Sequence, residues 1–153
     1  MTLVKALMTR NTKVIVLPLE PVPATRPRVT GRGIAYYPKR HSDYKKAAIK
    51  HLEEHYDTND QFDGPCEVQM TVVCPRPKAG KYSYPIRGDV DNLAKLPLDC
   101  LSSARPDGDG KDGRRIAWLD DRQIVKLGIV KRYPVDDEEP CTHIRITWIT
   151  EVT

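Results

Sequence analysis

The order of apolar and polar residues predicts four strands along the chain. Residues 13–23 form an apolar run ended by prolines, and residues 66–74 alternate between apolar and polar positions. Two later runs rich in β-branched residues, 121–133 and 142–152, predict two closing strands. Residues 27–38 carry two glycines among basic and aromatic residues, which indicates an irregular loop or a hairpin.

Two segments repeat apolar residues at helical spacing. The first runs from Ser42 to about Tyr56, with Ser42 as the expected N-cap, and the second covers residues 91–101. Pro97 falls inside the second segment, where it removes one backbone hydrogen bond and predicts a kink. Strands and helices alternate along the chain, so we expect an α+β fold with a mixed sheet packed by helices.

The length of 153 residues suits one domain that spans the whole chain. We expect residues 1–12 to be a flexible tail and the Gly- and Asp-rich residues 102–115 to be a mobile loop. No apolar run approaches the roughly 18–20 residues of a membrane span, and the N-terminus lacks a secretory pattern, which predicts a soluble, cytoplasmic protein. The four cysteines form no C-x-x-C pair and are expected to be small buried hydrophobes.

The net charge of +4 is unevenly distributed. Residues 26–50 contain eight basic residues and one acid, and residues 75–88 contain four basic residues and no acid. Tyrosines are interleaved with both runs, a composition that suits phosphate neutralisation and base stacking, although solvated loops are the alternative for a charge run. The candidate DNA-binding residues are Arg26, Arg28, Arg32, Lys39, Arg40, Arg76, Lys78, Lys81 and Arg87.

Two carboxylates precede the second helix. Asp91 stands where an N-cap is expected, Asp89 lies just before it, and Lys95 follows one turn later on roughly the same side. A carboxylate pair suits Mg²⁺, which takes oxygen ligands and keeps water for a phosphate substrate. Asp120 and Asp121 form a second acidic pair that could supply a third carboxylate. This spacing indicates phosphodiester hydrolysis, with the lysine neutralising charge that develops on the phosphate.

Ordinary structural explanations compete with each of these motifs. Asp near a helix start is a common cap, and Asp-Asp is a common turn signal. His51 and His55 are four residues apart without a third ligand, which favours an exposed helix face over a metal site. The segment PDGDGKDG lacks the ligand pattern of an EF-hand loop. A D-x-D phosphatase remains a distant alternative that leaves the basic runs unexplained.

The segments GDVDNLAKLPLDCL and WLDDRQIVKLGIVKRY together resemble the RusA family of Holliday junction resolvases, many of them encoded by phages and prophages. The resemblance lies in D-x-D-N-x-x-K ahead of an apolar helix with D-x-L, followed by W-x-D-D-x-x-V and a final strand with a lysine near its end. It covers roughly residues 65–150. It implies a small Mg²⁺-dependent endonuclease, with Mn²⁺ as a possible substitute, that acts as a homodimer in the cytoplasm of a bacterial or phage-infected cell. Paired symmetric nicks across a four-way DNA junction, in recombination and repair, are the implied reaction.

The resemblance also implies a role for individual residues. Asp89, Asp91 and Asp121 correspond to the metal-binding carboxylates and Lys95 to the catalytic lysine. Asn92, Asp99 and Asp120 correspond to supporting positions. A branched-DNA-binding protein that has lost cleavage is the main alternative, and the presence of all four catalytic residues argues against it.

Overall fold

A computed structural model describes residues 7–56, 62, 64–80, 82–102 and 121–152. Its elements are β1 (Leu7–Leu17), β2 (Arg28–Val29), β3 (Ala35–Tyr36), α1 (Lys39–His55), β4 (Cys66–Val73), α2 (Val90–Leu101), β5 (Ile124–Arg132) and β6 (Cys141–Val152). A single 3₁₀ turn, Asp121–Gln123, precedes β5. Neither α-helix in these ranges is long and apolar enough to cross a membrane.

The main sheet has the strand order β1-β6-β4-β5, and β2 and β3 form a separate two-stranded hairpin. β4 and β5 run parallel, whereas β6 is antiparallel to both β1 and β4. A parallel pair requires a long crossover connection, and the one between β4 and β5 contains α2. The mixed sheet with two helices among the described residues confirms the α+β prediction.

The core lies between one face of the sheet and the two helices. Val68 and Met70 on β4 are buried against α1 residues such as Leu52 and α2 residues such as Leu101. Alternate positions on β4, such as Gln69, face the opposite side of the sheet and are exposed. The period-two pattern therefore identified correctly which face of β4 packs against the helices.

Two boundaries in the N-terminal third differ from the prediction. β1 begins at Leu7, so residues 7–12, expected in a flexible tail, pair with β6 from Leu7 opposite Val152 onward. Backbone hydrogen bonds to β6 hold this segment in the sheet. Because its side chains are mostly exposed, the sequence carries no apolar pattern that would predict a strand there. α1 begins at Lys39 behind Pro38, which adopts the extended conformation required at an N-cap, and not behind Ser42.

The start of α2 also differs from the prediction. Asp89 is the N-cap residue, so Asp91, expected to be the cap, lies inside the first turn. The helix continues through the buried Pro97 to Leu101. The remainder of the expected 102–115 loop after Ser102, together with Asp120 and Lys81, lies outside the described residues.

Candidate active site

Asp89 and Asp91 both lie at the amino-terminal end of α2. Asp89 has the extended backbone of a cap residue, with φ −71° and ψ 149°, but its side chain makes no capping hydrogen bond. Both residues are exposed. The capping explanation requires the carboxylate oxygens to be occupied by backbone amides, and this structure does not use Asp89 in that way. The pair is therefore available to a ligand at the positive end of the helix.

Contacts from two other segments fix the backbone ahead of Asp89. Lys131, near the end of β5, donates a hydrogen bond from Nζ to the Gly88 carbonyl oxygen at 2.9 Å. The backbone N–H of Ala24 donates to the carbonyl oxygen of Asn92 at 2.8 Å. The first turn of α2 is thus tied both to the sheet and to the proline-rich segment after β1, which restricts where the two carboxylates can point.

Gly88 itself is required by this geometry. Its φ is +77°, in the left-handed region, and an added Cβ would lie 3.0 Å from Pro23 Cγ and 3.2 Å from the Leu93 side chain. We therefore expect Gly88→Ala to lower the free energy of unfolding by about 1–3 kcal/mol. Denaturant unfolding would measure the loss. Gly31→Ala, where nothing lies within 4 Å of the added Cβ, is the matched control, and equal stability of the two variants would contradict this account.

Three other candidates lie on α2. Lys95 is exposed one turn after Asp91, as predicted. Asn92 is half-buried in the first turn of the helix, and its supporting role stays a prediction. Asp99 lies two turns beyond Asp91, where its carboxylate is 3.8 Å from Lys45 Nζ on α1, and it therefore links the two helices. This partly exposed pair contributes little to stability.

Asp121 lies at the other end of the sheet from the α2 pair. It starts the 3₁₀ turn before β5. Burial of the Cys66 thiol, and to a smaller extent the negative charge of Asp121, raise the pKa of Cys66 to about 11, which places Asp121 near this first residue of β4. Gly88, by contrast, is held by Lys131 beside the last residues of β4 and β5. Along β4, Cys66 and Val72, the partner of Lys131, are six residues apart, a separation of about 20 Å at roughly 3.3 Å per residue. One chain therefore does not bring Asp121 to the Asp89–Asp91 pair.

Most of the candidate DNA-binding residues fall into two groups. Arg28 begins the β2–β3 hairpin and Arg32 lies in its turn, with Arg26 just before it, and all three are exposed. Arg40, Arg76, Lys78 and Arg87 instead line one pocket beside the start of α2. Lys39 is the first residue of α1. Folding thus gathers basic residues that are far apart in sequence next to the carboxylates.

Two residues near this site had no predicted role. Lys131 lies near the end of β5 and Tyr133 directly follows the strand, where the resemblance indicated a lysine but no role for it. Lys131 fixes Gly88, and Tyr133 packs beneath Arg76, whose guanidinium carbon is 5.0 Å from the ring centroid. A basic residue within an apolar strand was the available signal for Lys131, whereas nothing local marked Tyr133.

A second group of possible metal ligands lies at the start of β6. The ligand atoms of Glu138, Cys141 and His143 lie within 4.8 Å of one another. The Arg132 guanidinium makes a two-pronged ion pair with Glu138, and its hydrogen bonds lower the pKa of that carboxyl group to about 2. Thiol and imidazole ligands do not suit Mg²⁺, so this group is not an alternative to the α2 carboxylates for that ion.

All four cysteines match the prediction of burial. Cys66, Cys74, Cys100 and Cys141 are all free and buried. Burial raises the pKa of the Cys100 thiol to about 12, which disfavours the reactive thiolate. These residues therefore act as core side chains.

Comparison with known proteins gave one family. The model of the family described as Endodeoxyribonuclease RusA matches residues 18–147, which is most of the chain. A search of curated proteins found no match.

Proposed function

Because the chain belongs to the RusA endodeoxyribonuclease family, we propose that it resolves four-way DNA junctions by paired symmetric nicks that depend on a divalent metal ion. The observation that carries this proposal is the exposed Asp89–Asp91 pair beside a pocket lined by four cations. Carboxylates alone would repel a phosphodiester. The surrounding cations attract the DNA backbone and bring it to the carboxylates.

The residues present fit a hard cation. Asp89 and Asp91 offer exposed oxygen ligands without a side-chain cap bond at Asp89, and carboxylate oxygen is the donor that Mg²⁺ prefers. Mn²⁺ accepts the same ligands and is expected to substitute. A bound divalent ion would polarise the phosphoryl oxygen and activate water. Lys95, one turn further along α2, would place its ammonium near the phosphate and neutralise developing charge.

The position of Asp121 supports a homodimer. Since Asp121 and the α2 pair lie at opposite ends of β4 and β5 within one chain, we infer that Asp121 of the second protomer completes each metal site. A two-fold axis would generate two equivalent sites, which matches the two symmetric strands of a junction. A monomer would then hold the ion weakly, because it offers only two of the three carboxylates.

For a protein that acts on junction DNA, we propose a location in the cytoplasm of a bacterial or phage-infected cell and a role in recombination and repair. The competing function is a branched-DNA-binding protein without cleavage. It predicts tight junction binding and no nicks with any divalent ion. Incubation of a synthetic four-way junction with Mg²⁺ or Mn²⁺, followed by denaturing electrophoresis, separates the two functions.

The hairpin should contribute to DNA binding through charge. Replacing both Arg28 and Arg32 with Ala is expected to weaken junction binding and to reduce the slope of log affinity against log salt by about 0.9 per lost phosphate contact. Titrations in EDTA at several salt concentrations would measure this without cleavage.

The matched control removes the same charge from α1. Lys46 and Lys50 are exposed there and are not among the candidate DNA-binding residues, so the Lys46→Ala, Lys50→Ala protein should keep the wild-type slope. An equal reduction of the slope in both double variants would show that overall charge, and not the hairpin, governs binding.

A further inference from the structure

A cavity of about 580 Å³ lies beside the amino-terminal end of α2. It is walled by the segment after β1, by the connection from β4 to α2, and by Leu93 and Tyr133. Ligand-binding pockets have volumes of roughly 300–1,000 Å³, so the cavity is large enough for one nucleotide. A duplex cannot enter a cavity of this size.

The charge of the pocket suits a phosphate ester. Arg40, Arg76, Lys78 and Arg87 line it, and Glu20 is the one acid among its described lining residues. Guanidinium groups bind phosphate oxygens through paired, charge-assisted hydrogen bonds. An anionic ligand is therefore favoured over a neutral or cationic one.

The pocket also offers flat surfaces for a base. The Arg76 guanidinium is held over the Tyr133 ring, with its carbon 5.0 Å from the ring centroid, and it donates to the Pro134 carbonyl oxygen at 3.1 Å. Its plane is thus fixed before any ligand arrives. Tyr82 lines the same pocket, is 51% exposed, and has its ring centroid 6.3 Å from that of Tyr84. Bases stack on both tyrosine rings and guanidinium planes.

The location of the pocket relates it to the carboxylates. Arg87 precedes Asp89 by two residues, and Leu93 donates its backbone N–H to the Asp89 carbonyl oxygen at 3.0 Å. Both residues line the pocket, so a ligand within it lies next to the candidate metal site.

From these observations we propose that the pocket receives one unstacked nucleotide of the DNA, adjacent to the phosphate that is cleaved. The base stacks against Tyr82 and Arg76, and the flanking phosphate lies among the cations. The inference rests on the proposed function, since it requires branched DNA to bind. It adds a reason for junction preference, because bases at a branch point unstack at lower cost than bases within a duplex.

A double-mutant cycle between protein and DNA tests the proposal. A set of four-way junctions would each carry one abasic site at a different position around the branch point, and affinities would be measured in EDTA. For the wild type, we expect one position at which base removal weakens binding roughly tenfold. Tyr82→Ala should weaken binding to the intact junction by a similar factor and have no further effect on that abasic junction.

Two other variants sharpen the test. Arg76→Gln should show the same coupling to the same abasic position, since it removes the other stacking surface. Tyr36→Ala is the matched control, because Tyr36 is an exposed tyrosine on β3 that does not line the pocket. Its effect should be the same on intact and abasic junctions.

The outcomes separate this inference from the proposed function. Coupling of Tyr82 and Arg76 to one shared position would support the pocket. Equal effects of Tyr82→Ala on every junction, with wild-type binding intact, would overturn the inference and leave the proposed function standing. Failure of the wild type to bind any junction would overturn both.

Discussion

Asp91→Asn is expected to lower junction nicking by at least about 100-fold while leaving junction affinity in EDTA within about twofold of the wild type. The amide has nearly the same shape as the carboxylate, so α2 should form normally. It is a weaker ligand for a hard cation, so the metal site should fail. Loss of one negative charge near the phosphate does not oppose DNA binding. Cleavage and binding assays on one synthetic junction would measure the two effects separately.

Asp137→Asn is the matched control for this substitution. Asp137 is exposed between β5 and β6, and its replacement removes the same charge without touching α2. Wild-type nicking is expected there. If Asp91→Asn lost binding together with cleavage, the carboxylate would be needed for the fold or for DNA contact, and its metal role would be wrong.

Mixing two inactive variants should restore cleavage if each site takes residues from two protomers. In a heterodimer of Asp91→Asn and Asp121→Asn chains, one site receives both substitutions and the other receives neither. Random exchange makes about half of the dimers mixed, and each mixed dimer has one intact site of two. We therefore expect about a quarter of all sites to be intact. The products should be single nicks and not paired ones, because each mixed dimer has one working site.

A mixture of Asp89→Asn and Asp91→Asn chains is the control for this complementation. Both substitutions affect the pair contributed by a single chain, so every site in that heterodimer is damaged and no cleavage should return. Two distinguishable affinity tags would confirm that subunits exchange. Exchange without recovery in the Asp91→Asn and Asp121→Asn mixture would contradict the two-chain site.

Periodicity and local chemistry sufficed to predict much of the fold. The alternation of Val68 and Met70 set the buried face of β4, and the spacing of Leu93 and Leu96 identified α2. These patterns work because burial follows the repeat of each element. The D-x-D motif was likewise placed at the start of a helix by its position ahead of apolar residues.

Features that depend on distant contacts were not predictable in this way. Residues 7–12 join β1 through backbone bonds to β6, which no side-chain pattern reports. The position of Asp121 just before a strand suggested that it could meet the α2 pair. Because β4 and β5 are parallel, Asp121 instead lies at the start of these strands, whereas the α2 pair lies near their end. The pocket beside α2 combines residues from Glu20 to Tyr133, so it exists only after folding.

The most direct test of the account compares a synthetic four-way junction with a linear duplex of the same sequence, each incubated with Mg²⁺ or with EDTA. The wild type and Asp91→Asn would be assayed side by side. We predict paired nicks that are confined to the junction, require Mg²⁺ and disappear in the variant. Equal cleavage of the duplex, or nicks that persist in EDTA or in Asp91→Asn, would contradict a metal-dependent junction resolvase built on this carboxylate pair.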